Sequence, residues 1–576
     1  MAILRWRGTR IHLLAVGFTL AALLVFGWRW GLLGALPQPR TRVPAMVGAA
    51  GSPQAPWVSH SLAPRQTHQE EAVLHGEVEE ALPGERFWHL DLKGGAPRVG
   101  VLERLMGMAA RAGATGVLVE WEDAFPYTGH LANLSSRAAY TPAEVRRIAA
   151  AAHDAGLKMV PLMQSLGHLE YALKQPQWAA LREAGSVAEA CPSLPAAARL
   201  VTDALDQLLT AIPAPLVHIG ADEVFTLGHC ARCRARRITP LNLYLHHVLT
   251  IARHVKSRWG ARVLVWDDMV RRAPLQALRS LAEVAEPVVW AYGPDVDRLV
   301  PPHVLRTYAA VFPRVWLAPA FKGASGPRAF MPDAARHAAN TLAWMTTGRR
   351  VQRQAGLGVG GLVITGWSRY DHFAVLCELL PPATPSLVLT LLTAAHGSLT
   401  PAALRDAHAL LECPPHVTLE PAVDPHLWAA RDCAFTGANA AAMLHRYARL
   451  REEVEAVRHE SQEHGGWLTA YNRRHNFSSP ARVRQATASL GSLSASLRGL
   501  YKEARAVLRQ YHDHHTTAEW LEQHLDPLNT TLTTLNAAAA TLTAINTWPR
   551  RPLDYHQHQH DDYNDYTNDD ATIATH

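Results

Sequence analysis

Leu216-Val217-His218-Ile219-Gly220-Ala221-Asp222-Glu223-Val224 is the stretch on which the reading of this chain turns. Its first four residues form a short apolar run broken by one histidine, the pattern of a buried strand. Gly220 then permits a backbone conformation, or a close approach, that a side chain blocks. Asp222 and Glu223 follow at the carboxyl end of that strand. In a parallel α/β barrel this end carries the active site. Two adjacent carboxylates do not ionise independently. Repulsion and desolvation raise one pKa, leaving a proton donor beside a carboxylate that stays charged. Such a pair suits cleavage of a glycosidic bond. An isolated Asp-Glu is more often solvated surface; here strand, glycine and acid pair fall in one element.

The same alternation extends to either side. Strand-like runs occur at 87–92, 116–120, 158–162, 216–219, 263–266, 287–290, 315–318 and 361–365, with helical stretches between them, such as 98–112, 141–155 and 241–259. Thr141-Pro142-Ala143-Glu144 is a helix start, with proline in the first turn and glutamate three residues after the cap. Eight strands with crossovers predict an α/β fold, a (β/α)8 TIM barrel, over residues 86–395. The other strand ends are polar or aromatic too. They include His89-Leu90-Asp91-Leu92-Lys93, Glu120-Trp121-Glu122-Asp123, Gln164 to Glu170, Trp266-Asp267-Asp268-Met269, Trp290-Ala291-Tyr292, Phe321-Lys322-Gly323 and Trp367-Ser368-Arg369-Tyr370-Asp371. One strand-end Trp is usually packing. Charge and aromatics at every strand end mark a single face, and aromatic walls with converging carboxylates fit a sugar's apolar C–H faces and hydroxyl rim.

The chain has 576 residues, 48% hydrophobic and 18% charged, with a formal charge of +6. That balance fits a globular protein of more than one domain, and no basic block points to nucleic acid. Residues 11–28 are apolar apart from His12 and Thr19, and Arg5, Arg7 and Arg10 precede them. As a helix this run spans about 27 Å, so residues 1–30 are expected to form a cytoplasmic tip and an uncleaved transmembrane signal-anchor. The rest would then be lumenal or extracellular, a type II topology in the Golgi, lysosome or cell surface. Sequons at Asn133, Asn476 and Asn529 gain meaning in that setting, and the six cysteines allow disulfides. Residues 31–85, rich in Pro, Gly, Ala and Ser, read as a stem. Strand signals vanish over 396–550, where 440–459, 489–511 and 518–546 read as helices of a C-terminal module. Residues 551–576, dense in His, Asp and Tyr, read as a disordered tail. Cys230-Ala231-Arg232-Cys233 is half of a zinc-site spacing, but no second such pair occurs. No metal and no cofactor are expected.

H-x-G-x-D-E at 218–223 resembles the signature of the glycoside hydrolase family 20 β-N-acetylhexosaminidases, and the short H-I-G-A-D-E-V form is similar to the hexosaminidase D branch. Gln164-Ser165-Leu166-Gly167-His168-Leu169-Glu170-Tyr171, Trp266-Asp267-Asp268-Met269 and Thr365 to Asp371 support it, and the resemblance covers roughly residues 86–395. It implies that Glu223 is the general acid/base and that Asp222 holds the substrate's 2-acetamido group. It further implies that Trp266, Trp290 and Trp367 wall the terminal sugar, that Asp268 belongs to the substrate site, and that His168 tunes Glu223. The chain departs from the family in three places. Lys93 stands where many members use Arg to grip hydroxyls. Phe321 stands near a family Tyr, for which Tyr292 is the substitute. Arg369 stands near a family Glu.

The function implied is exo-acting removal of terminal N-acetylhexosamine, GalNAc or GlcNAc, from a glycan by substrate-assisted hydrolysis. The alternative is a carbohydrate-binding barrel without catalysis. A chitinase of the D-x-x-D-x-D-x-E type is excluded because that string is missing. A metal-dependent barrel hydrolase would require His89, His168 and His218 to converge with acids. The sequence does not set the oligomeric state.

Overall fold

The computed structural model describes residues 81–553. The expected anchor, almost all of the stem and all but the first residues of the tail lie outside them. Among the described residues, no helix is long and apolar enough to cross a membrane.

Period-two alternation builds the barrel. In β1 (Glu85–Asp91) Phe87 faces the interior, whereas Trp88 and Leu90 pack outward under the helices. In β2 (Gly116–Glu120) Leu118 points in, and Val117 and Val119 point out. β3 (Lys158–Leu162), β4 (Leu216–His218), β5 (Arg262–Trp266), β6 (Glu286–Trp290) and β7 (Arg314–Ala318) follow, each parallel to the one before. After a short strand β8 (Ala320–Lys322), β9 (Gly358–Gly366) pairs with both β7 and β1 and closes the ring. Eight parallel strands therefore form the predicted barrel, with β8 an extension paired on β9. The interior is filled by Phe87, Leu118, Val160, Leu162, Leu216, Leu264, Val288 and Trp316 among others; Phe87 and Trp316 stack at 5.2 Å.

The crossover helices include Val99–Arg111, Pro142–Asp154, Pro195–Ala211, Pro240–Trp259, Ala334–Ala355 and Thr384–His396. The Thr141 cap is a reciprocal capping box: Thr141 accepts from the Glu144 N–H, and the Glu144 carboxylate accepts from the Thr141 N–H. Two of the differences from the sequence reading have a local cause. The last barrel strand starts at Gly358 rather than 361, because its glycine-rich beginning carries little strand propensity. The expected helix over 518–546 is two, His514–His524 and Asp526–Ala544, with Pro527 in the first turn of the second.

The helices after residue 396 share one core with the barrel, running without a break from Leu82 to Leu542. Polar ties reinforce it. The Arg98 N–H donates to the Tyr511 carbonyl at 2.7 Å, and Arg98 Nε reaches the Arg509 and His512 carbonyls. Arg369, 5% exposed, makes a two-pronged ion pair with Glu519 at 2.6 and 2.7 Å and donates to the Ala374 and Gly94 carbonyls. Removing Glu519, itself 34% exposed, leaves the buried Arg369 charge with the two carbonyls alone. Glu519→Ala should destabilise the protein by about 1–3 kcal/mol, read as a lowered denaturant midpoint with an unchanged slope. A midpoint equal to wild type would show that the two carbonyls alone satisfy Arg369.

Candidate active site

The acid pair sits where β4 stops being a strand. Three residues of the turn have positive φ: Gly220 at +60°, Ala221 at +69° and Glu223 at +49°. The left-handed region is costly for residues with a Cβ and free for glycine. Gly220 is needed for a second reason, since a Cβ there would lie 1.9 Å from Gln164 Oε1. The turn is held by hydrogen bonds that consume its N–H groups. The Gly220 N–H donates to His218 Nδ1 (2.9 Å), the Ala221 N–H to Gln164 Oε1 (3.2 Å), and the Glu223 N–H to Asp268 Oδ2 (2.9 Å). From the β3 side Gly167 approaches so closely that a Cβ would lie 2.2 Å from the Asp222 carbonyl oxygen. The ends of β3, β4 and β5 therefore lock the two carboxylates together.

His168, itself at φ +51°, reaches across to them. Its Nε2 lies 3.6 Å from Asp222 Oδ2 and 3.4 Å from Glu223 Oε2, and its Nδ1 lies 3.9 Å from Glu170. Burial by itself lowers an imidazole pKa, but here Asp222, Glu223 and Glu170 outweigh it and hold the ring protonated well above its usual range. Burial pushes Asp222 up to about 6, with Glu223 and Glu120 adding to the rise and His168 opposing it. Burial and the nearby Asp222 push Asp268 up to about 7. Asp222 Oδ1 is buried with no hydrogen-bond partner.

A cavity opens above this cluster. It is lined by Asp222, Glu223, His168, Gln164, Lys93, Trp266, Trp290, Tyr292, Trp367, Arg369, Tyr370 and Gly323. The walls brace one another. Trp290 and Tyr292 stack at 5.3 Å, Trp266 and Trp367 tilt together at 5.8 Å, and Trp367 Nε1 donates to the Tyr292 hydroxyl at 3.0 Å. Asp268 accepts from Trp290 Nε1 at 3.2 Å, so it fixes a wall and the Glu223 backbone at once.

All but one of the residues singled out from the sequence line this cavity; Asp268 is joined to it through Glu223 and Trp290. Two of them are already engaged elsewhere. Arg369 reaches the wall, but its terminal nitrogens are committed to Glu519, Ala374 and Gly94, so it is a structural tie rather than a hydroxyl grip. Lys93 Nζ lies 3.5 Å from each of Asp91, Glu120 and Glu122 and 5.4 Å from the Trp367 ring centroid. It neutralises an acidic cluster under the floor. Burial alone would lower its pKa, but those carboxylates raise it well above the usual range. Gln164, Tyr370 and Gly323 were missed as lining residues. All three lay within quoted strand ends, but the hydrogen-bond partners of Gln164 and Tyr370, Ala221 and Gly326, lie far away in sequence. His89, His168 and His218 do not make a metal centre: His218 is buried against Trp266, and His89 pairs with Glu120.

A sequence model of the glycosyl hydrolase family 20 catalytic domain matches residues 116–291. Human Hexosaminidase D is 34% identical over 484 residues, covering 81% of this chain and 96% of that protein. Bovine Hexosaminidase D is 37% identical over 322 residues, 54% of this chain and 92% of its own length. Among solved structures, the family 20 exo-β-N-acetylglucosaminidase of Vibrio harveyi in complex with N-acetylglucosamine aligns with a TM-score of 0.42 at 17% identity, over 58% of each chain.

The raised Asp222 pKa sets a pH limit. This carboxylate is charged above about 6 and neutral below it. If its charge is needed, kcat/KM on an aryl N-acetylhexosaminide falls as pH drops through about 6. A carboxylate at the ordinary value would place that limb near about 4. The Asp222→Asn variant should lose the limb. A limb that persists in Asp222→Asn belongs to another group.

Proposed function

Because the chain belongs to glycosyl hydrolase family 20, and so is a glycoside hydrolase of the β-N-acetylhexosaminidase type, we propose that it is exo-acting and substrate-assisted. It removes a terminal non-reducing N-acetylgalactosamine or N-acetylglucosamine from a glycan with retention of configuration. One observation carries this reading. Among the described residues, the carboxylates that line the cavity are Asp222 and Glu223, neighbours on one strand end. An ordinary retaining glycosidase needs a second carboxylate about 5–5.5 Å across the bond to attack the sugar. Consecutive residues on one turn do not flank a bond from both faces, so the substrate's own acetamide oxygen is the nucleophile.

In that reaction Glu223 protonates the leaving oxygen while the acetamide oxygen closes on the anomeric carbon, giving an oxazolinium ion. The carboxylate so formed then takes a proton from the water that reopens the ring. Asp222 accepts the acetamide N–H and offsets the positive charge that develops there, an interaction strongest in the transition state. Its orphaned Oδ1 supports this role, since a buried acceptor without a partner favours an incoming donor. His168 holds both carboxylates in register. The braced Trp266, Trp290, Trp367 and Tyr292 offer apolar faces to the ring. Against a non-catalytic sugar-binding barrel stands the complete acid pair with its charged histidine.

Glu223→Gln should lose about 10²–10⁴-fold in turnover, with a smaller loss on activated aryl substrates. Asp222→Asn should lower kcat far more than it raises KM, and a thiazoline mimic of the cyclised intermediate should inhibit competitively. Efficient hydrolysis of plain galactosides or glucosides, or a trapped sugar–carboxylate ester, would overturn the mechanism.

The apolar run at 11–28 and its upstream arginines also support a lumenal catalytic part on a type II anchor. The Cys413–Cys433 disulfide and the exposure of Asn133, Asn476 and Asn529 fit that setting. Glycan removal from the full chain made in a eukaryotic cell should lower its mass. An unglycosylated chain found in the cytosol counts against it.

A further inference from the structure

The half zinc-site spacing at Cys230 and Cys233 is completed from elsewhere in the chain. Glu183 and Cys191, from the long segment between β3 and β4, meet the two cysteines just past the acid pair, and one ligand atom from each of the four lies within 4.8 Å of the others. Cys191 Sγ is 3.5 Å from Cys230 Sγ and 3.6 Å from Cys233 Sγ, and Cys233 Sγ is 3.2 Å from Glu183 Oε2. Glu183, Cys191 and Cys233 are buried. We propose that Glu183, Cys191, Cys230 and Cys233 form a tetrahedral structural site for Zn²⁺.

Four arguments lead there. A tetrahedron with zinc–sulfur bonds of about 2.3 Å has sulfur–sulfur edges of roughly 3.8 Å, near the distances found. A disulfide needs about 2.05 Å, and three thiols cannot all pair with one another: any one disulfide among them leaves a third thiol over. Three sulfurs and one oxygen form a soft set that selects zinc over magnesium or calcium. Finally, donors already face the ligand atoms. The Cys233 N–H points to Cys230 Sγ (3.3 Å), the Ser193 hydroxyl to Cys233 Sγ (3.1 Å), and the Cys230 N–H to Glu183 Oε1 (2.8 Å). Such donors steady thiolates and carboxylates that bind metal. On binding, three thiol protons go to solvent, and the dication leaves the site with two net negative charges. Arg232, Arg234, Arg236 and Arg237 lie on the same segment, exposed to solvent.

All four positions are protein ligands, which marks a structural ion rather than a catalytic one. Its effect is to staple the segment after β3 to the loop that leaves Glu223. Glu189 holds that loop from the same side, accepting from the Phe225 and Thr226 N–H groups and the Thr226 hydroxyl.

The test is metal content of the purified full-length chain, independent of turnover. About one zinc per chain is expected, lost in Cys191→Ser and in Cys233→Ser. Exchange for Co²⁺ should give the thiolate charge-transfer and tetrahedral d–d bands, and Glu183→Gln should shift the d–d bands. Alkylation of Cys191, Cys230 and Cys233 in the native wild type should require a chelator, which should also lower Tm. These wild-type readouts stand even if the cysteine variants do not fold. Wild-type chain that takes up no zinc with these thiols reduced, or peptide mapping that links Cys191 to Cys230 or Cys233, would overturn the site.

Discussion

Buried negative charge is the constraint around which the barrel mouth is arranged. Asp91, Glu120, Glu122, Glu170, Asp222, Glu223 and Asp268 gather at the strand ends in a medium that disfavours ions. Two cations make this tolerable. Lys93 lies among three of the carboxylates, and His168 lies among three others. Burial would raise Glu120, but Lys93 and the hydrogen bond with His89 hold it well below the usual range. Glu122 lies equally near Lys93, yet burial together with the neighbouring Glu120, Asp91 and Glu170 pushes it well up. The site thus contains both charged and protonated carboxyls at one pH.

Geometry follows from this electrostatics. The charges must meet without the backbones colliding, so two glycines stand where strand ends cross: Gly220 against Gln164, and Gly167 against the Asp222 carbonyl. The left-handed turn that Gly220 begins aims Asp222 and Glu223 into the same cavity rather than to opposite faces of a strand. A regular strand would have separated them, because successive side chains point to opposite sides. The irregularity of β4 is therefore what makes an adjacent pair usable.

Much of this was legible in the sequence. Strands of four to six apolar residues between amphipathic helices announce a barrel, and Gly220 between a strand and two acids announces the turn. The aromatic walls were visible because Trp266, Trp290 and Trp367 each end a strand. What could not be read was partnership across distance. Arg369 looked like a ligand-binding residue because Glu519, which occupies it, is 150 positions away. Lys93 looked available because nothing local shows three carboxylates closing on it. Cys230 and Cys233 looked like an incomplete motif because Glu183 and Cys191 come from another loop. Local patterns report an element and its facing; they do not report which other element is already bonded to a side chain.

The Arg369–Glu519 tie has a consequence for how the chain can be divided. Its guanidinium lies beside the substrate cavity, while its carboxylate sits on the helix His514–His524. The helices after the barrel are therefore part of the wall's support. A chain ending after the eighth barrel helix would keep every residue that touches the sugar, yet would leave a buried arginine without its counter-ion and bare the apolar surface shared with Leu500 and Trp520. Recombining this barrel with a foreign C-terminal half would fail for the same reason. The structural unit is the barrel together with its helices, and residues far from the cavity carry part of the support for those that line it.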